Sequence, residues 1–161
     1  MVLSSMNPEH YEALIAEIAR GINSLTPGLE NICICSGRTN YMQGLSGYRH
    51  QIDVSFFYKE SIYIIECKCW KRKLGVQEVL TLAGRAKDIQ DSCAQHTVIP
   101  VLISIKGASR YASPLAEYFN IKIEIAESAH DFGLKIGNFI HEAKDECLGI
   151  GDQAIPIHIR N

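Results

Sequence analysis

Residues 51–70 run Gln51-Ile52-Asp53-Val54-Ser55-Phe56-Phe57-Tyr58-Lys59-Glu60-Ser61-Ile62-Tyr63-Ile64-Ile65-Glu66-Cys67-Lys68-Cys69-Trp70. Two stretches rich in β-branched and aromatic residues, 52–58 and 62–69, flank the polar Lys59-Glu60-Ser61, which is the pattern of a β-hairpin. If the turn centres on Lys59 and Glu60, Val54 lies opposite Ile65 and Asp53 lies opposite Glu66. Side chains alternate along a strand, so Lys68 shares the face of Glu66, while Val54, Phe56, Tyr63, Ile65 and Cys67 point the other way into packing. Lys-Glu is not a favoured two-residue turn, and a longer loop would shift the register. A slip of one residue would carry the charges into the core, and that cost argues for the stated pairing.

Working outward, helix and strand patterns alternate at short spacing, without repeats or low-complexity tracts. Asn7-Pro8 reads as a cap with proline at the first helical position, and Tyr11, Leu14, Ile15, Ile18, Ala19 and Ile22 recur on one face, which predicts an amphipathic helix ending near 21–24. Thr26-Pro27-Gly28 breaks the chain, 32–35 is a short apolar strand, and the polar, glycine-bearing 36–50 predicts a surface loop. After the hairpin, 75–91 predicts a helix, 97–104 a buried strand, 109–120 a helix, 121–125 a strand and 128–147 a last helix. The order α-β-β-β-α-β-α-β-α implies one α/β domain over residues 1–161, a mixed central β-sheet flanked by helices on both faces.

With 161 residues, 47% of them hydrophobic and 21% charged, the chain has the size of one domain with a sizeable core. A net charge of −2 gives no wholesale attraction to nucleic acid, so any such contact rests on a local patch. Lys68, Lys71, Arg72 and Lys73, with Lys59, Arg38 and Arg49, are the candidates for it. Apolar runs such as 97–105 contain a proline and fall short of the roughly 20 residues a membrane span needs. Residues 1–7 lack the basic start and apolar stretch of a secretory signal, which implies a reducing cytoplasm where the six cysteines stay thiols. Cys33-Ile34-Cys35 and Cys67-Lys68-Cys69 each place two thiols on one side of a strand. Structural zinc favours a longer gap in a turn, so apolar packing of these thiols is the expectation.

The trio Asp53, Glu66 and Lys68 is where chemistry is expected. Paired carboxylates on neighbouring strands repel, and a hard divalent cation that takes oxygen ligands relieves that repulsion. Mg²⁺ is the expected occupant, keeping several waters, one of which would attack a phosphodiester. Lys68 would orient that water, assist its deprotonation, or stabilise the pentavalent transition state. The competing reading is a surface Asp and an ordinary Glu-Lys pair on a solvated strand. Acidic-x-Lys alone is weak, since Glu142-Ala143-Lys144 also matches it. On a helix, however, residues two apart do not face each other, so that copy makes no site.

The ordered set Gln51-Ile52-Asp53-Val54, Ile64-Ile65-Glu66-Cys67-Lys68-Cys69-Trp70 and Leu74-Gly75-Val76 resembles the catalytic domain of Mrr-like restriction endonucleases, within the PD-(D/E)XK superfamily. That pattern is an Asp-Val pair, then Glu or Gln, Cys, Lys, a variable residue and often an aromatic, then Val-Gly-Val opening a helix. The likeness extends to Tyr11-Glu12 with Leu14-Ile15, to Leu82-Ala83-Gly84 and to 108–123, and covers residues 11–125. It implies a restriction-endonuclease-like fold with the core αβββαβ. It also implies a Mg²⁺-dependent DNA endonuclease, with Mn²⁺ able to substitute, serving restriction or other DNA defence or processing. Asp53 and Glu66 would be metal ligands together with the Cys67 carbonyl, and Lys68 the catalytic lysine. Glu12, on the opening helix, would be a further catalytic carboxylate acting through water, with Glu17 as its rival. Double-stranded DNA is the implied substrate, and cutting both strands needs two sites, which brings in a homodimer or a partner subunit. No organic cofactor or membrane partner is expected.

Two features depart from that pattern. Ile52 stands where the superfamily's proline would be, and Gly47-Tyr48-Arg49-His50 replaces a glycine-rich approach to the Asp. His50 is then either a phosphate contact or a neutral loop residue, and Gln77 and Glu78 either touch substrate or lie on an ordinary helix surface. Two other classes compete: a catalytically inactive DNA-binding or dimerisation module on the same fold, and an unrelated α/β enzyme binding a phosphate. The second lacks any recognised phosphate-cradling glycine motif.

Overall fold

The computed structural model describes residues 33–36, 39–58, 60–68 and 70–145. The expected opening helix, with Glu12 and Glu17, lies outside the described residues, as do Arg38, Lys59 and Cys69. In chain order the strands are β1 (Cys33–Ser36), β2 (Tyr41–Gln43), β3 (Arg49–Gln51), β4 (Val54–Tyr58), β5 (Ser61–Lys68), β6 (Thr97–Ser104) and β7 (Lys122–Ile125). The helices are α1 (Val76–Ser92), α2 (Ala112–Tyr118) and α3 (Ala129–Asp145).

Ile62 to Cys67 are six consecutive buried residues, the mark of a strand covered on both faces. β5 accordingly sits at the centre of a five-stranded sheet in the order β1-β4-β5-β6-β7. β1, β4 and β5 pair antiparallel, while β5, β6 and β7 pair parallel, with α1 and α2 as the crossovers that parallel neighbours require. The hairpin register is the one expected from Val54 opposite Ile65 to Tyr58 opposite Ser61, but the ladder stops at Val54 and does not include the expected pair of Asp53 with Glu66.

Alternation then assigns the faces. Ile62, Ile64 and Leu102 join Leu74, Val79, Leu82, Ala86 and Ile89 in one cluster beneath α1, which Ala112 and Ala116 of α2 extend. Val54, Phe56, Tyr63, Ile65 and Cys67 are buried on the opposite face, where the rings of Phe56 and Tyr63 stack with centroids 4.3 Å apart. Each such side chain contributes about 1.5–3 kcal/mol by leaving water. α3 packs on this second side of the sheet at β7. Ile123 packs on the first cluster, so its neighbours Lys122 and Glu124 point away from it; Lys135 pairs with Glu124 at 2.6 Å and Lys122 lies 5.4 Å from the centre of the Phe139 ring. Among the described residues no helix is long and apolar enough to cross a membrane.

Three boundaries depart from the sequence reading. The segment 36–50 is not simply a loop: β2 and β3 form a small antiparallel sheet of their own, Met42 opposite His50. With three residues per strand and side chains that are exposed or only partly buried, neither run is long enough for alternation to emerge from a polar composition. The strand expected over 52–58 breaks at Asp53. Buried Asn40 accepts the Ile52 N–H on its backbone carbonyl (3.0 Å) and donates from Nδ2 to the Ile52 carbonyl (3.0 Å) and to Ser55 Oγ (3.1 Å), which draws the chain off the ladder. The helix expected from Ser109 begins at Ala112, because residues 109–111 form a turn whose Ser109 Oγ accepts the Ala112 N–H at 3.3 Å.

Candidate active site

Asp53 occupies the bend between β3 and β4, just where the ladder with β5 stops. Its Oδ2 accepts the backbone N–H of Cys67 at 2.8 Å, so the carboxylate does what a strand carbonyl would otherwise do. That bond seats the half-buried Asp53 against the β5 backbone at the residue following Glu66. Glu66, only 8% exposed, comes from the α1 side of β5. A buried carboxylate is costly unless compensated, and this one is compensated twice. Lys68 Nζ donates to Oε1 at 2.6 Å, and Arg85 Nη1, reaching down from α1, donates to Oε2 at 2.9 Å.

A cleft of about 170 Å³ opens over Glu66, Lys68 and Arg85, lined also by Trp70, Gln77 and Thr81 among others. Trp70 forms one wall, with the Arg72 guanidinium 4.0 Å and the Lys68 ammonium 5.6 Å from its ring centre. α1 forms the other wall. Gln77, Thr81 and Arg85 follow at intervals of four and therefore share one stripe of the helix. The helix start is fixed by Glu78, whose carboxylate accepts the Gly75 N–H at 2.6 Å and an Arg72 N–H at 3.0 Å. Burial raises the Glu78 pKa, but these bonds and the Arg72 charge outweigh it and leave the pKa below the ordinary value. The approach loop is tied down by Leu74, which donates to the Gly107 carbonyl and accepts from the Ser109 N–H, both at 2.9 Å.

The hairpin before Asp53 is anchored to the far end of α1 by Asp88. Its carboxylate accepts Ser46 N–H (2.8 Å) and Ser46 O–H (2.7 Å), and His50 Nε2 lies 2.7 Å away. The Ser46 hydroxyl, then His50, hold the Asp88 pKa down at about 2. Gly44 is required there, because a Cβ on it would lie 1.9 Å from Asp88 Oδ2. His50, weighed above as a phosphate contact, is thus engaged in this anchor.

The expected trio is therefore brought to one place, with the Cys67 backbone beside it. Of the expected basic patch, Lys71, Arg72 and Lys73 are exposed next to the cleft, while Arg49 lies over the Tyr41 ring at 5.0 Å. Arg85 was not foreseen. The available signal was its position three residues after Leu82 and four before Ile89, a lone charge at the border of the apolar stripe. Cys67 is 5% exposed among apolar neighbours, as the packing reading has it. Among the described residues no three His, Cys, Asp or Glu side chains converge. A metal held at this place would take its ligands from Asp53, Glu66, backbone carbonyls and water, a hard oxygen set that suits Mg²⁺ and not a structural zinc.

No family model and no curated protein matches the sequence. Solved structures do match in fold. The chain resembles protein VC1899 from Vibrio cholerae with a TM-score of 0.59 and 19% identity, over 85% of this chain and 35% of that one. It resembles Can2 from Sulfobacillus thermosulfidooxidans, solved with cyclic tetra-adenylate, with a TM-score of 0.54 and 14% identity, over 83% and 36%. It resembles EndoMS, solved in complex with double-stranded DNA, with a TM-score of 0.50 and 17% identity, over 72% and 44%. The chain thus spans less than half the length of each of these three neighbours. The fold is restriction-endonuclease-like: a mixed sheet between helices, with the central antiparallel pair carrying the acidic residues.

Proposed function

We propose that this chain is a Mg²⁺-dependent deoxyribonuclease of the PD-(D/E)XK kind, similar in pattern to the Mrr-like branch. The observation that carries the reading is the convergence at one edge of β5: Asp53 seated on the Cys67 N–H, Glu66 beside it, and the Lys68 ammonium 2.6 Å from Glu66. Asp53, Glu66 and the Cys67 carbonyl would hold the ion, and Mn²⁺ would substitute. The bound ion would supply Lewis acidity, activating a water and offsetting charge on the phosphorus oxygens.

The residues do the rest. Asp53 is seated by a backbone donor on Oδ2, so it is placed as an oxygen ligand without any rearrangement of the sheet. Lys68 places a positive charge at the cleft floor, where it positions the attacking water and stabilises charge in the transition state. Lys71, Arg72 and Lys73 supply the local positive rim that a phosphate backbone needs in a protein of net charge −2. EndoMS, a neighbour in fold, is solved with double-stranded DNA, which supports duplex DNA as the ligand. Cleavage of both strands would use two copies of the site in a homodimer, which light scattering on free and DNA-bound protein tests. Glu12 is retained as a water-mediated participant in this proposal.

The test is plasmid nicking by the wild-type protein with Mg²⁺, with EDTA, and by Lys68→Ala with Mg²⁺. Cutting in the first case alone is expected. DNA binding without cutting in any case would make the protein an inactive binding module, and neither binding nor cutting would remove nucleic acid from the account.

A further inference from the structure

Both oxygens of Glu66 are occupied by cations of the chain itself, Lys68 on Oε1 and Arg85 on Oε2. The two carboxylates and two cations leave the site neutral. A divalent ion coordinated by Glu66 needs one of those oxygens, so one cation must yield. Lys68 has one short bond and comes from the same strand, two residues on. Arg85 comes from a different element and is 29% exposed toward the cleft. Among the described residues it uses only Nη1, shared between Glu66 and a longer 3.4 Å contact to the Gln51 carbonyl. It lines the cleft together with Gln77 and Thr81, the wall along which a nucleic-acid strand would lie.

We propose that Arg85 is an exchangeable cation. Resting on the nuclease reading above, it neutralises Glu66 in the metal-free protein, yields Oε2 to the divalent ion, and turns its guanidinium to the phosphate being cut. The charges favour that destination. With Asp53, Glu66, Lys68, Arg85 and a divalent ion all present, the site carries two net positive charges. Those match the two negative charges that a phosphodiester develops when an oxyanion nucleophile adds to it. A planar guanidinium suits two phosphate oxygens at once, whereas an ammonium acts as a point charge. The pairing with Glu66 also explains how a carboxylate is accommodated in a buried place before any metal arrives.

The proposal makes metal affinity and cleavage move in opposite directions, which a purely structural arginine would not do. Mn²⁺ binding to the full chain without DNA is measured by titration calorimetry for the wild type, Arg85→Ala, Arg85→Gln and Arg85→Lys. Plasmid cleavage is measured for the same four at saturating Mg²⁺. Loss of the competing cation is expected to tighten Mn²⁺ binding about tenfold in Arg85→Ala and Arg85→Gln. The same two variants are expected to cut about a hundredfold more slowly, and Arg85→Lys to recover part of the rate. Arg85→Gln keeps much of the side-chain volume, and its thermal transition reports that it is folded. Weaker or unchanged Mn²⁺ binding in folded variants of a wild type that does bind Mn²⁺ overturns the exchange and leaves the nuclease reading standing. A wild type that binds no Mn²⁺ overturns both.

Discussion

Glu66→Gln separates a carboxylate held by the chain's own cations from one that is merely a strained metal ligand. Replacing it keeps the volume of the side chain but removes the negative charge that Lys68 and Arg85 share at 2.6 and 2.9 Å. The glutamine can still accept one hydrogen bond through its carbonyl. The other cation is left facing an amide N–H₂, and the two positive groups lose the charge between them. Breaking a buried pair by removing one partner costs about 3–5 kcal/mol, and an exposed pair about 0–1 kcal/mol. Here the Glu66 side chain is 10% exposed while those of Lys68 and Arg85 are 23% and 29% exposed, so both cations can turn toward water. The expected cost is therefore intermediate, about 2 kcal/mol, or about 4–8 °C in Tm for a domain of this size. The assay is thermal and urea unfolding at pH 7 in EDTA, with Asp53→Asn as the comparison. That variant keeps an acceptor for the Cys67 N–H and is expected to lose about 1 kcal/mol or less. A Glu66→Gln protein as stable as the wild type, or more so, in EDTA would refute the pairing on which the electrostatics of the site are built.

Two further predictions concern the anchor of the hairpin that leads into Asp53. The folded Asp88 pKa, about 2, lies below its ordinary value of 3.8. The stability it contributes is therefore full above about pH 4 and is lost as pH falls through the folded value. An Asp88→Asn variant is expected to unfold more easily than the wild type at neutral pH, with the difference closing between about pH 4 and 2; acid unfolding curves of the two proteins check it. Gly44→Ala is expected to push the Asp88 carboxylate aside, since the added carbon falls 1.9 Å from Oδ2. It should raise the Asp88 pKa toward its ordinary value, read by NMR titration, and increase amide exchange at Leu45 and Ser46.

The hairpin and its register were legible in the sequence because a slip would bury charge, and that penalty leaves one arrangement standing. The strand Thr97–Ser104 was legible for a related reason: residues 98–103 form an apolar run, broken only by a proline, that a covered strand accommodates. What stayed hidden depends on contacts between distant segments. Asp88 reaches Ser46 across 42 residues, and nothing local marks it among the other charges of α1. Asn40 bends the chain at Ile52 and Ser55 through its amide, yet in sequence it is an ordinary loop asparagine. Arg85 was missed because a charge on a helix is read first as solvent-facing, although its place beside Leu82 and Ile89 put it within reach of the sheet. The carboxylates and Lys68 are visible locally; the second cation on Glu66 comes from across the fold.

The central claim is that Asp53 and Glu66 jointly hold a hard divalent ion. Diffraction from crystals soaked in Mn²⁺, recorded where manganese scatters anomalously, tests it directly. An anomalous peak within coordination distance of both carboxylates, with the Arg85 guanidinium displaced from Glu66, is the predicted result. A fully soaked crystal with no peak there, or with Mn²⁺ only at other acidic residues, would contradict the account.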